Sequence, residues 1–211
     1  MPKTIFYDEN NKKHIYECSV EEIEWPETIQ TIKFDGNFNQ PIEDVKWPES
    51  LQTLIIADFN QPIEKVKWPE SLQRIEFGNI LSKFNQPIDN VKWPKSLQTI
   101  KFGYEFNQPI DNVKWPESLR TIIFSFNFNQ PIENIKWPES LQTIKLMNNF
   151  NQPIDNVKWP NTLQEIIFFS KFNHSIDKVK WPSSLQTIEL GGEFNQPIDK
   201  IKWPDSLQTI K

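Results

Sequence analysis

A stretch of 22 residues decides the fold of this chain: residues 106–127 have the sequence FNQPIDNVKWPESLRTIIFSFN, and the same phrase begins again at Phe128. Most of the remaining chain repeats it. All nine tryptophans are followed by proline, and every proline except Pro2 occupies one of two repeat positions. A fixed internal period of this length is the signature of a repeat architecture, in which each unit packs on its two neighbours.

The spacing of the tryptophans measures the period. Successive tryptophans are 22 residues apart except between Trp47 and Trp68, where the interval is 21, and between Trp68 and Trp93, where it is 25. Both departures fall between the end of the Leu-x-x-Ile-x-Phe phrase and the next Phe-Asn. That segment is therefore predicted to be a loop that tolerates insertion.

Each unit has a strand half and a return half. In the strand half, residues 97–102 (LQTIKF), the last three residues alternate apolar and polar side chains, which is typical of a short strand with one buried face. In the return half, Pro109 and Pro116 disfavour helical backbone at the residues that precede them. An extended or polyproline-like return, with a tight turn or a piece of 3₁₀-helix, is therefore predicted.

One strand and one return per unit predict a mainly β solenoid. Its strands would pair in a parallel sheet of about nine coils, with little or no α-helix. Residues 1–15 do not match the repeat, and their two apolar runs flank a polar stretch, Asp8 to Lys13, as in a hairpin. We predict an N-terminal cap at residues 1–15 and a single repeat domain at residues 16–211.

Two phrases of the unit carry a family resemblance. The recurring FNQPI, as at residues 150–154, resembles the FNIP repeat, a relative of the leucine-rich repeat found in social amoebae and giant DNA viruses. The strand half at residues 138–146 (PESLQTIKL) is similar to the P-x-x-L-x-x-L-x-V phrase of short bacterial leucine-rich repeats, whose convex side is extended. The resemblance covers about residues 16–211. It implies a leucine-rich-repeat-like solenoid that binds proteins on its concave, strand-bearing face.

Composition and charge exclude several classes of function. The formal net charge is −5 and charges of both signs are interspersed, so neither nucleic acid nor a membrane surface is an expected partner. Cys18 is the only cysteine, which excludes an internal disulfide and a multi-cysteine metal site. We find neither a secretory leader nor a run of about 18 apolar residues. The expected location is the cytoplasm, or the host cytoplasm if the protein is viral.

The sequence predicts no enzyme and no cofactor. His14 and His174 lie in different units, and no nucleophile–base set, glycine-rich phosphate loop or metal-ligand spacing occurs. Each unit places an acid three residues before a lysine, as in Asp111 and Lys114, and these columns could suggest acid–base chemistry. A solvated convex surface, on which the acids and lysines neutralise one another, explains the columns more simply. No catalytic, metal-binding or cofactor-binding residue is assigned.

An asparagine follows the phenylalanine of each unit. In a solenoid such a column can satisfy backbone groups that are left unpaired where each coil turns, and the buried amides would then find partners. We therefore assign eight asparagines to a structural ladder: Asn39, Asn60, Asn85, Asn107, Asn129, Asn151, Asn173 and Asn195.

Positions that vary between units are better candidates for a binding site. The outward strand position is isoleucine in three units, and the position two residues further along is methionine or phenylalanine in two. A surface apolar group of this kind often marks an interaction site, although scattered apolar residues also arise as repeat drift. The predicted protein-binding residues are Ile123, Met147, Ile167, Phe169, Tyr104, Phe126, Ile80 and Leu81.

Three functions are open at this point. The first is a non-enzymatic scaffold that binds a partner protein through the strand-bearing face. The second is a structural or self-assembling component, such as a virion component, because the final strand at residues 207–211 has no capping segment and an unprotected edge invites end-to-end pairing. The third is an ice-binding solenoid, because threonines recur on the strand, although Arg74 and Glu165 interrupt their column.

Overall fold

The structure, a computed structural model that describes residues 3–78 and 82–211, confirms the predicted parallel-sheet β-solenoid. Within these residues the strands form one sheet of 11 strands in the order β11-β10-β9-β8-β7-β6-β5-β4-β3-β1-β2. The strands are β1 (Thr4–Tyr7), β2 (Lys13–Tyr16), β3 (Thr31–Phe34), β4 (Thr53–Ile55), β5 (Arg74–Glu76), β6 (Thr99–Lys101), β7 (Thr121–Phe124), β8 (Thr143–Leu146), β9 (Glu165–Phe168), β10 (Thr187–Glu189) and β11 (Thr209–Ile210).

Helix is almost absent, as the two prolines of each unit predict. Within residues 3–78 and 82–211 it is confined to one 3₁₀ turn, Val20–Glu22, and no helix there is long and apolar enough to cross a membrane. Each return is extended and is bent by tight turns. In one unit these turns are closed by backbone hydrogen bonds from Phe106 to Gly103, from Val113 to Ile110 and from Leu119 to Pro116, at 3.0–3.3 Å. Of the two predicted alternatives for the return, a tight turn or a piece of 3₁₀-helix, this unit has the tight turns.

Equivalent residues of successive units stand side by side in the sheet. Ile100, Ile122 and Ile144 pair in parallel register on β6, β7 and β8. The pairing continues into the loop, where the amide of Asn127 donates to the carbonyl of Tyr104 at 3.0 Å. Each repeat position therefore forms a column that runs the length of the solenoid.

The inward columns form one continuous core. Phe106, Phe128 and Phe150 are fully buried, and their rings stack from coil to coil with centroids 6.2 and 6.3 Å apart. Within a coil, Phe128 also stacks on Phe124 at 4.1 Å. Burying a phenylalanine of this kind contributes about 1.5–3 kcal/mol, so the core columns provide the main drive for coil stacking.

The N-terminal hairpin joins the same sheet as an edge cap. Strand β1 is antiparallel to both β2 and β3, so β2 runs in the direction of the repeat strands. Phe6 of β1 is fully buried and packs on Phe34 and on His14, which covers the first core layer. His14 also hydrogen-bonds Asp8 at 3.0 Å, and this bond holds the pKa of the Asp8 carboxyl below its ordinary value.

The two ends of the solenoid differ from its middle. Ile110 and Ile122 of an inner coil are fully buried, whereas Ile198 and Ile210 of the last coil are each 45% exposed. On β2, at the other end, Ile15 is 51% exposed. The most exposed large apolar side chains of the described residues thus lie on the terminal coils.

Candidate protein-binding surface

The outward side chains of β3 to β11 form a surface that we call the strand face. It consists of four columns, which in one unit are occupied by Arg120, Thr121, Ile123 and Ser125. The first two columns are mostly glutamine and threonine, while the last two vary most from unit to unit. Any difference between coils that a partner could recognise on this face therefore lies mainly in the columns of Ile123 and Ser125.

Ile123 is half-buried on β7, with a lysine on either side. Its register partners are Lys101 on β6 and Lys145 on β8. Adjacent strands are about 4.8 Å apart, so the aliphatic stems of both lysines flank the isoleucine. The side chain of Ile123 is thus part of a mixed row of apolar and cationic groups.

The prediction that Ile167 faces solvent is wrong. Its side chain points outward on β9, yet only 7% of the residue is exposed. Its register partners are Lys145 and Glu189, and their longer side chains stand on both sides of the branched isoleucine. Ile167 and Ile123 share a column, but Lys145 separates them. Ile167 therefore supports the face without offering a contact surface of its own.

Four half-buried apolar residues follow the ends of β6, β7, β8 and β9, and we call them the apolar rim: Tyr104, Phe126, Met147 and Phe169. The rings of Tyr104 and Phe126 stack with centroids 4.6 Å apart. The amide of Phe169 donates to the carbonyl of Leu146 at 2.9 Å, which places Phe169 beside Met147. The structure thus distributes these four predicted residues over four consecutive strands. The other two, Ile80 and Leu81, lie outside the described residues.

Ion pairs on the strand face lie beside this rim. Glu76 is only 8% exposed, and its carboxylate contacts the Arg74 guanidinium at 2.6 Å and the Lys101 ammonium at 3.5 Å. Lys145 pairs with Glu165 at 3.4 Å. Arg120 is exposed and forms no ion pair with any residue in the described parts of the chain. On β5 to β9 and the residue before each of these strands, cations therefore outnumber carboxylates, although the whole chain has a net charge of −5.

The asparagine column links neighbouring coils. The side-chain oxygen of Asn107 accepts a hydrogen bond from the backbone N–H of Asn129 at 2.9 Å, and Asn129 does the same for Asn151. Gln130 adds a second bond to the Asn107 side chain at 3.1 Å. The predicted burial of these amides is wrong: the asparagines are exposed or half-buried, because the Phe-Asn step crosses from the core to the surface.

A second column of coil-to-coil hydrogen bonds was not predicted from the sequence. The hydroxyl of Ser118 donates to the Leu97 carbonyl, and that of Ser140 to the Leu119 carbonyl, both at 2.7 Å. Thr162 makes the equivalent bond at 2.8 Å. The signal was present in the sequence, since each of these hydroxyl residues directly precedes the leucine of its unit.

No arrangement of catalytic or metal-ligating groups appears in the described ranges. They contain no group of three histidine, cysteine or acidic residues that could hold a metal ion. His174 replaces the glutamine of its unit, and its ring bonds the Asn151 carbonyl at 3.0 Å.

The acid and lysine columns of the return lie at the surface. They form no ion pair with each other within 4.0 Å in the described residues, so the two columns face each other across solvent rather than in direct contact. The acid lies in the turn that Val113 closes, and the lysine follows that turn into solvent. On the strand face, Arg74 and Glu165 interrupt the threonine column in register.

Comparison with known proteins decides the family. The model of the FNIP Repeat matches residues 38–80, 84–127, 128–171 and 172–211. This chain belongs to the FNIP repeat family. The FNIP chain is also similar to a solved giant-virus structure, described as "The crystal structure of CroV588 a novel circular LRR protein structure", with 38% sequence identity and a TM-score of 0.78. The match covers 90% of this chain and 28% of that protein. No curated protein matches the chain.

Proposed function

We propose that this FNIP repeat chain is a non-enzymatic scaffold that binds a partner protein through the strand face. The observation that carries the proposal is the apolar rim, with Ile123 beside it, on four consecutive strands. Partly exposed aromatic and aliphatic side chains that stand together are typical of interaction sites. Outside the last coil, the repeated phenylalanines, isoleucines and leucines are buried in the core, so they offer no surface to a partner.

Substitution of the apolar face should weaken binding and leave the fold intact. The test begins with peptides selected from a displayed library of random sequences on the full 211-residue chain. We expect the double variant Ile123→Ser, Phe169→Ser to bind most of the selected peptides about tenfold more weakly, because partly buried apolar contacts of about 1.4 kcal/mol are lost. Affinity is measured by fluorescence polarisation.

The chain offers a matched control for this double variant. Ile55 occupies the column of Ile123 on β4 and is half-buried, but it lies outside the apolar rim. The Ile55→Ser variant removes the same kind of side chain and should leave the affinities within about twofold of the parent. Peptides that respond equally to both variants, or to neither, would show that the partner surface lies elsewhere.

Self-assembly is a second candidate, favoured by the exposed isoleucines at the two ends. Ile15 on β2 and Ile210 on β11 are 51% and 45% exposed, and each strand is an edge of the sheet. Because β2 runs in the same direction as β11, a second copy could extend the sheet in parallel, with Ile15 on the strand-face side and Ile210 on the core side of the new seam. The resulting contact would be head-to-tail.

Light scattering over a range of concentrations tests this association. The 211-residue chain should show a mass that rises with concentration, and Ile210→Lys should restore the monomer mass, because this change places a charge on the core side of the proposed contact. The variant Ile55→Lys, in the middle of the sheet, serves as the control. A constant monomer mass for the parent chain would refute self-assembly.

A further inference from the structure

We infer that the segment bound on the strand face is acidic, with carboxylates flanking an aromatic or aliphatic side chain. This inference rests on the proposed function and specifies the chemistry of its partner. Three observations carry it: the departure of Arg120 from its column, the excess of cations around Ile123, and the apolar rim beside both.

Arg120 is the single departure from an otherwise constant column. It occupies the position that is glutamine in the eight other units: Gln30, Gln52, Gln73, Gln98, Gln142, Gln164, Gln186 and Gln208. Its backbone keeps the repeat geometry, because its amide donates to the Gln98 carbonyl at 2.9 Å as its equivalents do in neighbouring coils. The arginine side chain therefore adds a charge to the strand face, while the hydrogen bond between the coils is made by the backbone, as in the other units.

The charges around Ile123 leave a cationic surplus. Lys101 shares Glu76 with Arg74, and the arginine makes the shorter contact, 2.6 Å against 3.5 Å. Lys145 has one carboxylate, Glu165, at 3.4 Å. Arg120 adds a third positive charge, and no carboxylate pairs with it in the parts of the chain that the structure describes. On β5 to β9 and the residue before each of these strands, four cations stand against two carboxylates, and a ligand that approaches Ile123 meets this local surplus.

The chemistry of a matching segment follows from these neighbours. A side chain that packs on Ile123 and the apolar rim brings its flanking residues over Lys101, Lys145 and Arg120. Carboxylates there would gain charge-assisted hydrogen bonds, while apolar flanks would desolvate the cations without compensation and basic flanks would be repelled. Nucleic acid is disfavoured, because these few cations alternate with Glu76 and Glu165 and form no continuous basic track.

The peptides selected on the 211-residue chain provide the probe. We expect them to contain aspartate or glutamate on both sides of an aromatic or aliphatic residue. Conversion of those acids to their amides should weaken binding to the parent about tenfold, and less to the variant Arg120→Gln, because one of the three interacting cations is then already absent. Arg120→Gln introduces the residue that the other units have at this position. The variant should therefore keep the fold, and a change in its affinity reports the lost charge.

Salt dependence gives a second readout. The dissociation constant should rise about tenfold between about 0.1 M and about 1 M salt, since the screening length falls from about 10 Å to about 3 Å. A selected peptide bound only through apolar contacts would not weaken in this way.

The outcomes separate this inference from the proposed function. Peptides that lack carboxylates but are lost in the double variant Ile123→Ser, Phe169→Ser would refute the acidic partner and leave the strand face as the binding site. Peptides unaffected by that variant would refute both. A third outcome is that a fluorescent single-stranded oligonucleotide competes with the peptides for the parent chain and fails to bind the variant Arg120→Gln. That result would refute the acidic peptide and identify nucleic acid as the ligand of this surface.

Discussion

Replacing Phe128 by alanine is expected to lower the free energy of unfolding by about 3–5 kcal/mol. Phe128 is fully buried and stacks on Phe124 at 4.1 Å, on Phe106 at 6.2 Å and on Phe150 at 6.3 Å. The cavity cannot collapse easily, because backbone hydrogen bonds on both sides fix the spacing of the coils. Urea unfolding followed by circular dichroism measures the loss.

The same column provides the control for this substitution. Phe194 belongs to the last coil, is half-buried, and stacks on Phe172 at 6.0 Å on one side. Phe194→Ala should cost only about 1–2 kcal/mol, since less apolar surface returns to water and the end of the solenoid can relax. Equal losses for the two variants would mean that stacking between coils is not what Phe128 contributes.

The register of the solenoid was predictable because the repeat carries it. Where the tryptophan interval grows to 25 residues, between Trp68 and Trp93, Arg74 still pairs with Thr99 in the sheet. The extra residues lie between β5 and Phe84 in the sequence, and the strands on both sides keep their alignment. The core columns hold the register, because a one-residue slip would move every strand side chain to the opposite face.

The exposure of single side chains was harder to predict. Alternation along β9 places Ile167 outward, which is correct, but its burial depends on Lys145 and Glu189 in the neighbouring units. The alternation of side chains within one strand gives the direction of each side chain, but it does not show which side chains of the adjacent strands cover it. The position of the hairpin could not be predicted from the sequence either. Strand β1 lies between β2 and β3 and covers the β3 edge, which exists only in the assembled sheet.

The candidate site was predictable only in part. The variable columns pointed to Ile123 and the apolar rim, but Arg120 was missed, because it stands in a column that is otherwise constant and was not among the variable positions. A tabulation of the glutamine column would have exposed this single arginine. The ion pairs of Glu76 with Arg74 and Lys101 required the coordinates, since they join side chains of different reach on adjacent strands.

The substitution Gly103→Ala is expected to lower the free energy of unfolding by about 1–3 kcal/mol through a steric clash. Gly103 is buried, and a Cβ there would meet the backbone carbonyl of Phe77 and the side chain of Ser82 well inside van der Waals contact. Neither neighbour can retreat freely. The Phe77 amide bonds the Lys101 carbonyl at 2.8 Å, and the Ser82 hydroxyl donates to the Phe77 carbonyl at 2.7 Å. Urea unfolding again measures the effect.

Two comparisons separate this clash from the general cost of losing a glycine. A Cβ added at Gly192 would have no neighbouring atom within 4 Å, so Gly192→Ala should be neutral or should stabilise by up to about 1 kcal/mol through a less flexible unfolded chain. Adding Gly103→Ala to a Ser82→Gly background should cost less than it does in the parent, because the side-chain part of the clash is gone. The clash with the Phe77 carbonyl remains, however, so part of the loss in the free energy of unfolding should persist. If Gly103→Ala cost nothing in the Ser82→Gly background, the whole clash would be with Ser82.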